Sequence, residues 1–213
     1  ITDLGKDVDG FNVGDRVAYV GSPIGAYSEK RNYPINGLVK IPESISNELA
    51  AASMLKGLTA WYLANKSYRI KTGDNVLIYA AAGGVGLFLC QWAKHLGAYV
   101  IGVVSTSEKA ELARLNGCTE IIYFDDKQLI KKTRELTNGK GVNVVYDSVG
   151  KDTFYQSLDC LRPHGVMVTY GNATGAVEPF PVLELASRGS LFVTRPVLSD
   201  FIRERQDLID AAD

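Results

Sequence analysis

Ala81, Gly83 and Gly86 stand in the spacing G/A-x-G-x-x-G, directly after the apolar run Val76-Leu77-Ile78-Tyr79-Ala80 and at the head of a periodic stretch over residues 87–96. That arrangement suits a diphosphate. Glycine at the second place lets backbone approach the pyrophosphate, glycine at the third lets a helix lie close on the strand, and unpaired N–H groups at the helix start receive the phosphate charge. Gly83, Gly84, Val85 and Gly86 are therefore expected to hold the pyrophosphate of a dinucleotide. Glycine-rich turns occur wherever a strand meets a helix, so the fingerprint alone is a weak sign and its context carries the weight.

The choice of nucleotide is read about 20 residues further on, where an acidic side chain would grip the adenosine ribose hydroxyls of NAD. This chain has Ser105-Thr106-Ser107-Glu108-Lys109 there. No carboxylate occupies the strand end, and Ser105 and Lys109 offer donors to a 2′-phosphate, so NADPH is favoured over NADH. Glu108 is discordant unless it points away. Ser107 equally suits a helix N-cap, and Lys109 a solvated position in the first turn.

The elements that would position these residues alternate between strand and helix. Residues 99–104, 120–124, 142–146, 166–170 and 191–194 read as further strands, separated by helical patterns over residues 107–117, 126–136 and 152–161. Strands and helices at this pitch predict an α/β fold with a doubly wound parallel sheet covered on both faces. Before them, residues 15–20 and 25–29 are short alternating runs around Gly21-Ser22-Pro23, consistent with strands of an antiparallel barrel. A helix is predicted over residues 49–64. Residues 1–66 then form part of a catalytic barrel domain and residues 67–213 a Rossmann dinucleotide-binding domain.

Composition narrows the function. The 213 residues carry a net charge of −1, which argues against nucleic acid as a main partner. No apolar run reaches the roughly 18 residues of a membrane helix, and the first residues lack a signal-peptide pattern. Cys90, Cys118 and Cys160 are odd in number and widely spaced, and read as small core or near-surface residues of a reducing compartment, taken as cytoplasmic. No C-x-x-C occurs, and His95 and His164 have no partner at metal spacing, so no metal site is expected.

Several separated segments resemble the zinc-free, zeta-crystallin-like quinone oxidoreductases of the medium-chain dehydrogenase/reductase superfamily. They are Asn12-Val13-Gly14-Asp15-Arg16-Val17, the stretch from Ala50 to Ala60, the turn from Ala80 to Gly86, Tyr146-Asp147-Ser148-Val149-Gly150, Ser157-Leu158-Asp159-Cys160-Leu161, Tyr170-Gly171-Asn172-Ala173-Thr174-Gly175 and the run from Gly189 to Pro196. The resemblance implies a GroES-like catalytic domain beside the Rossmann domain, a cofactor cleft between them, and hydride transfer from NADPH to quinones. It also implies that Thr59 lies near the nicotinamide, that Val149 and Asn172 line the cofactor path, and that the backbone of Phe192, Val193 and Thr194 approaches the nicotinamide amide. Phe124 stands where relatives often carry an adenosine-side tyrosine, which removes one phosphate donor.

Other readings stand beside these. Thr59 could bond back to a carbonyl one turn earlier, Gly171 and Asn172 could be turn formers, and Asp147 could bond a neighbouring loop. Tyr27, Tyr62 and Tyr170 read as packing residues, and no side chain is assigned as the catalytic acid. Reduction of conjugated enones or alkenals is a close variant of the activity. A non-catalytic NADPH-binding role of the crystallin kind is an alternative of another class. Relatives extend further at both ends, so the chain is expected to be truncated. The sixth strand would be an apolar sheet edge through which a homodimer could form.

Overall fold

The computed structural model describes all of residues 1–213. It divides into two compact units, one of residues 1–59 with 198–213 and one of residues 60–197. The expected boundary lies after residue 66, whereas the units part inside a helix, after Thr59, and the last 16 residues belong with residues 1–59 rather than with the larger unit.

The larger unit is a six-stranded parallel sheet. Its strands are β3 (Asn75–Tyr79), β4 (Tyr99–Val104), β5 (Glu120–Tyr123), β6 (Val142–Asp147), β7 (Leu161–Thr169) and β8 (Phe192–Thr194), in spatial order β5-β4-β3-β6-β7-β8. Helices α2 (Gly84–His95), α3 (Ser107–Leu115), α4 (Leu129–Leu136), α5 (Phe154–Cys160) and α6 (Leu183–Ser187) supply the crossovers. Right-handed crossovers put α2 and α3 on one face and α4 and α5 on the other. Near-continuous apolar strands follow from burial on both sides: Leu77, Tyr79, Ile101, Val103, Ile122, Val145 and Met167 pack with Leu129, Phe154 and Leu158 in one cluster. The chain winds outward from β3 in one direction and from β6 in the other, so their C-terminal ends form the switch point where ligands bind in open α/β sheets.

The expected doubly wound sheet is thus present, with shifts at its margins. β7 begins five residues before the expected 166, because Leu161 pairs with Val142 ahead of an irregularity in the ladder. His164 takes a positive φ of 60°, yet the strand continues through it.

The smaller unit holds β1 (Val17–Ala18), β2 (Val39–Lys40), helix α1 (Asn47–Tyr62, which runs on past the division), α7 (Leu198–Phe201) and α8 (Arg205–Ala212). β1 pairs antiparallel with β2, and residues 25–29 form no strand, contrary to expectation. Side chains fix that loop instead of a ladder. The Arg31 guanidinium lies over the rings of Tyr19 and Tyr33 at 5.0 and 4.8 Å and donates to the Pro23 carbonyl, while the Tyr33 hydroxyl donates to the Ser22 carbonyl. Tyr27, read as a packing residue, is fully exposed. α8 joins this unit through Arg205, which donates to the carbonyls of Ile35 and Leu38 at 2.7 and 3.0 Å and covers the Phe11 ring.

α1 continues into one π-helical turn, Leu63–Ser67. The buried Tyr146 hydroxyl donates to the Leu63 carbonyl at 3.0 Å, a second donor beside the Tyr68 amide at 3.3 Å.

Candidate dinucleotide-binding site

The turn after β3 is built by close approach. Ala80 takes a left-handed φ of 49°, its carbonyl accepts from the Gly83 amide at 2.8 Å, and α2 starts at once. A Cβ on Gly86 would lie 2.2 Å from the Ala80 oxygen and 2.8 Å from the Ala81 carbonyl, so only glycine lets α2 seat on the strand end. Gly83 is nearly as tight, with a Cβ reaching 3.0 Å from the same oxygen. Leu87 makes the first bond back into the turn, to Gly83 at 2.9 Å, which leaves the amides of Gly84, Val85 and Gly86 ahead of the helical ladder. This cradle of backbone N–H groups, with a helix N-terminus behind it, fits a pyrophosphate.

One strand over, β4 ends at Val104 and the chain turns into α3. Thr106, not Ser107, is the N-cap: its hydroxyl accepts from the Lys109 amide at 3.3 Å, and Ser107 is the first helical residue. Lys109 Nζ donates to Ser105 Oγ at 2.9 Å, so the two predicted phosphate contacts stand side by side in the open. Glu108 is engaged at the same helix end. Its carboxyl is held below the usual range by its own backbone amide first, then by the hydroxyls of Thr106 and Ser107. Phe124 joins this corner, since its amide donates to the Val104 carbonyl at 2.7 Å; its ring is 40% exposed and meets Tyr79 edge-on.

Across the switch point, Val149 and Asn172 are brought together by two interlaced loops. The Thr174 amide donates to the Val149 carbonyl at 2.9 Å and the Ala173 amide to the Ser148 carbonyl at 3.2 Å. Gly171 and Gly150 permit this, since a Cβ on either would fall 2.4 Å from the Ser148 oxygen or 2.6 Å from the Gly175 oxygen.

Asp147, at the end of β6, organises the first of these loops. Its buried carboxylate accepts from the amides of Val149 and Gly150 at 2.7 and 3.1 Å and from the hydroxyls of Thr153 and Ser157 at 2.6 and 2.9 Å. The sequence offered a loop bond for Asp147; its reach into α5 required the fold.

Phe192, Val193 and Thr194 form β8 itself, paired with Val166, Met167 and Val168. Arg195, which sequence reasoning did not single out, donates to the Thr169 carbonyl at 2.9 Å and fastens the strand end. Thr59 is buried on α1, with its hydroxyl donating to the Leu55 carbonyl at 2.7 Å, one turn back. Tyr62 and Tyr79 are packing residues, and burial pushes both hydroxyls up, that of Tyr62 to about 12.

A profile described as zinc-binding dehydrogenase matches residues 84–211. The chain belongs to that family. It is 49% identical over 210 residues to a quinone oxidoreductase of Pseudomonas aeruginosa, a match covering 99% of this chain and 65% of that protein. It is 48% identical over 211 residues to a 2-haloacrylate reductase of a Burkholderia species, covering 98% of this chain and 63% of the other. The structure of Escherichia coli quinone oxidoreductase complexed with NADPH superposes with a TM-score of 0.96 at 47% identity, over 99% of this chain and 65% of that one. The likeness to quinone oxidoreductases read from the motifs is borne out. The chain spans about 63–65% of the length of these curated relatives.

The zinc in the family's description finds no counterpart in these residues. No three His, Cys, Asp or Glu side chains come together in a set that could hold a metal ion. No helix is long and apolar enough to cross a membrane.

Proposed function

We propose that this chain is the dinucleotide-binding part of an NADPH-dependent quinone oxidoreductase. The observation that carries the reading is the Ser105–Lys109 pair, 2.9 Å apart at the open end of β4, in line with the Gly83–Gly86 cradle one strand away. A cation with a hydroxyl beside it suits a 2′-phosphate, and the adjacent carboxylate, Glu108, is engaged at the start of its own helix.

When bound, the nicotinamide supplies the hydride. The chain's own residues bind and orient: the amides of Gly84, Val85 and Gly86 hold the pyrophosphate, Ser105 and Lys109 the adenosine phosphate, and Val149 and Asn172 flank the path across the switch point. The backbone of residues 192–194 addresses the nicotinamide amide. Phe124 gives the adenosine corner an apolar wall in place of a phenol. Quinones take up hydride readily and can draw their proton from water, so the reaction asks for no Lewis acid and no strong general acid. The 2-haloacrylate reductase relative favours a second substrate class, alkenes conjugated to a carbonyl.

Titration with NADPH and NADH by nucleotide fluorescence, followed by 1,4-benzoquinone or 2-chloroacrylate, tests the reading. Tighter binding of NADPH and its oxidation on adding quinone above a protein-free control are expected. Binding without oxidation by either acceptor would favour a non-catalytic role, and no binding would remove the cofactor assignment.

The same reading includes a cytoplasmic homodimer. Three free cysteines suit a reducing compartment. β8 has a strand neighbour on one side only and exposes 59% of Phe192, so it can extend its ladder into a second copy. Sedimentation should give twice the monomer mass, and Val193→Pro should return it to the monomer; a wild-type monomer would sink the dimer.

A further inference from the structure

Behind the glycine-rich turn two thiols meet. Cys90 lies on α2 and Cys118 on the segment leading from α3 to β5, 28 residues apart in sequence, with their Sγ atoms 3.4 Å apart. Two glycines make the approach possible. A Cβ on Gly102 in β4 would lie 2.5 Å from Cys118 Sγ, so the sulfur rests directly on the strand. Gly117, at a φ of +116°, carries the chain across α2 so closely that a Cβ there would come within 2.6 Å of the Cys90 carbonyl oxygen. Cys90 Sγ also sits 3.8 Å from the carbonyl oxygen of Ala81, the turn residue after β3. The pair therefore joins the back of the turn to the entry of β5.

The two thiols differ in the way a reacting pair requires. Cys90 is wholly buried, whereas Cys118 keeps 6% of its surface. The contact with Cys90 lowers Cys118 toward ionisation, with help from the Arg114 guanidinium, while the same contact and burial raise Cys90. The thiolate is the nucleophile in thiol oxidation, so Cys118 attacks and Cys90 resolves.

We propose that Cys90 and Cys118 form a thiol–disulfide redox site oxidised by hydrogen peroxide. The Cys118 thiolate attacks one peroxide oxygen, the O–O bond breaks, and the departing hydroxide takes up the thiol proton to give water and a sulfenic acid. The Cys90 sulfur then attacks the Cys118 sulfur. The S–O bond breaks, hydroxide leaves with the Cys90 proton as a second water, and the pair has lost two electrons to the peroxide. A small-molecule dithiol reverses the step by exchange. Closing the bond brings the sulfurs from 3.4 Å to about 2.05 Å, a movement of about 1.4 Å. It ties α2 covalently to the segment before β5. This chemistry is separate from the nucleotide reading and stands without it.

Peptide mapping tests the site directly. The full chain is treated with stoichiometric hydrogen peroxide, alkylated under denaturing conditions and digested without reductant. A Cys90–Cys118 cross-linked peptide is expected, with loss of two of the three alkylatable thiols and their return after dithiothreitol. Cys160→Ala should retain the cross-link and Cys118→Ala should abolish it. Three alkylatable thiols after peroxide would overturn the proposal. So would Cys118 sulfinic acid without a cross-link, or a cross-link through Cys160.

Discussion

Lys109 and Ser105 discriminate between nucleotides only if the 2′-phosphate reaches them. A charge-assisted hydrogen bond is worth about 1.5–3 kcal/mol, and about 1.4 kcal/mol is tenfold in affinity. Lys109→Ala should therefore weaken NADPH binding by about tenfold or more and leave NADH almost unchanged, as measured by fluorescence titration; an equal loss for both would remove the phosphate contact. Asp147 works by another principle, because its carboxylate is buried and accepts from two amides and two hydroxyls at once. Asp147→Ala strands all four donors and should cost about 3 kcal/mol or more in denaturant unfolding, with Asp147→Asn costing less. A loss below about 1 kcal/mol would mean that water replaces the carboxylate.

At the scale of elements, α2 and α1 give the same substitution opposite signs. Gly86→Ala drives a methyl into the Ala80 carbonyl, which is backbone and cannot turn aside, so α2 must lift from β3. Overpacking of this kind costs about 1–3 kcal/mol, and the turn loses its cradle, so lowered stability should come with loss of NADPH binding. Gly57 lies within α1 with nothing inside 4 Å of a built Cβ, so Gly57→Ala should stabilise by about 1 kcal/mol through helix propensity alone. Thermal unfolding of the two variants checks both signs, and destabilisation of Gly57→Ala would show that the space is needed.

For the whole molecule, burial of tyrosines and a cysteine sets the alkaline limit. Burial first raises the Tyr62 hydroxyl from 10.0 to about 12, and the Cys160 thiol from 9.0 to about 12. Tyr79, Tyr146 and Tyr170 are pushed up by burial as well. Above their unfolded values these groups stay protonated in the fold while the unfolded chain has released its protons. The stabilisation they carry is therefore complete below pH 9 and is lost as pH rises toward 12. Denaturant unfolding at stepped pH should show stability falling from about pH 9 onward, and a flat profile to pH 12 would contradict the burial of these groups.

The sheet and its glycine-rich turn were legible in the sequence because their causes are local. Runs such as Val76-Leu77-Ile78 need burial on both faces, glycines mark where a strand gives way to a helix, and the empty carboxylate position beside Ser105 is a matter of spacing alone. The smaller unit was less legible. Residues 25–29 carry a strand-like alternation, yet Arg31, lying against the packed rings of Tyr19 and Tyr33, determines the loop. The assignment of α8 rests on Arg205, which bonds carbonyls 167 and 170 residues away, and the pairing of Cys90 with Cys118 rests on the absence of a side chain at Gly102. Periodicity records which face of an element is buried and where it turns. Which side chain meets which carbonyl, carboxylate or thiol depends on the approach of segments distant in the chain, and that was decided only when they packed.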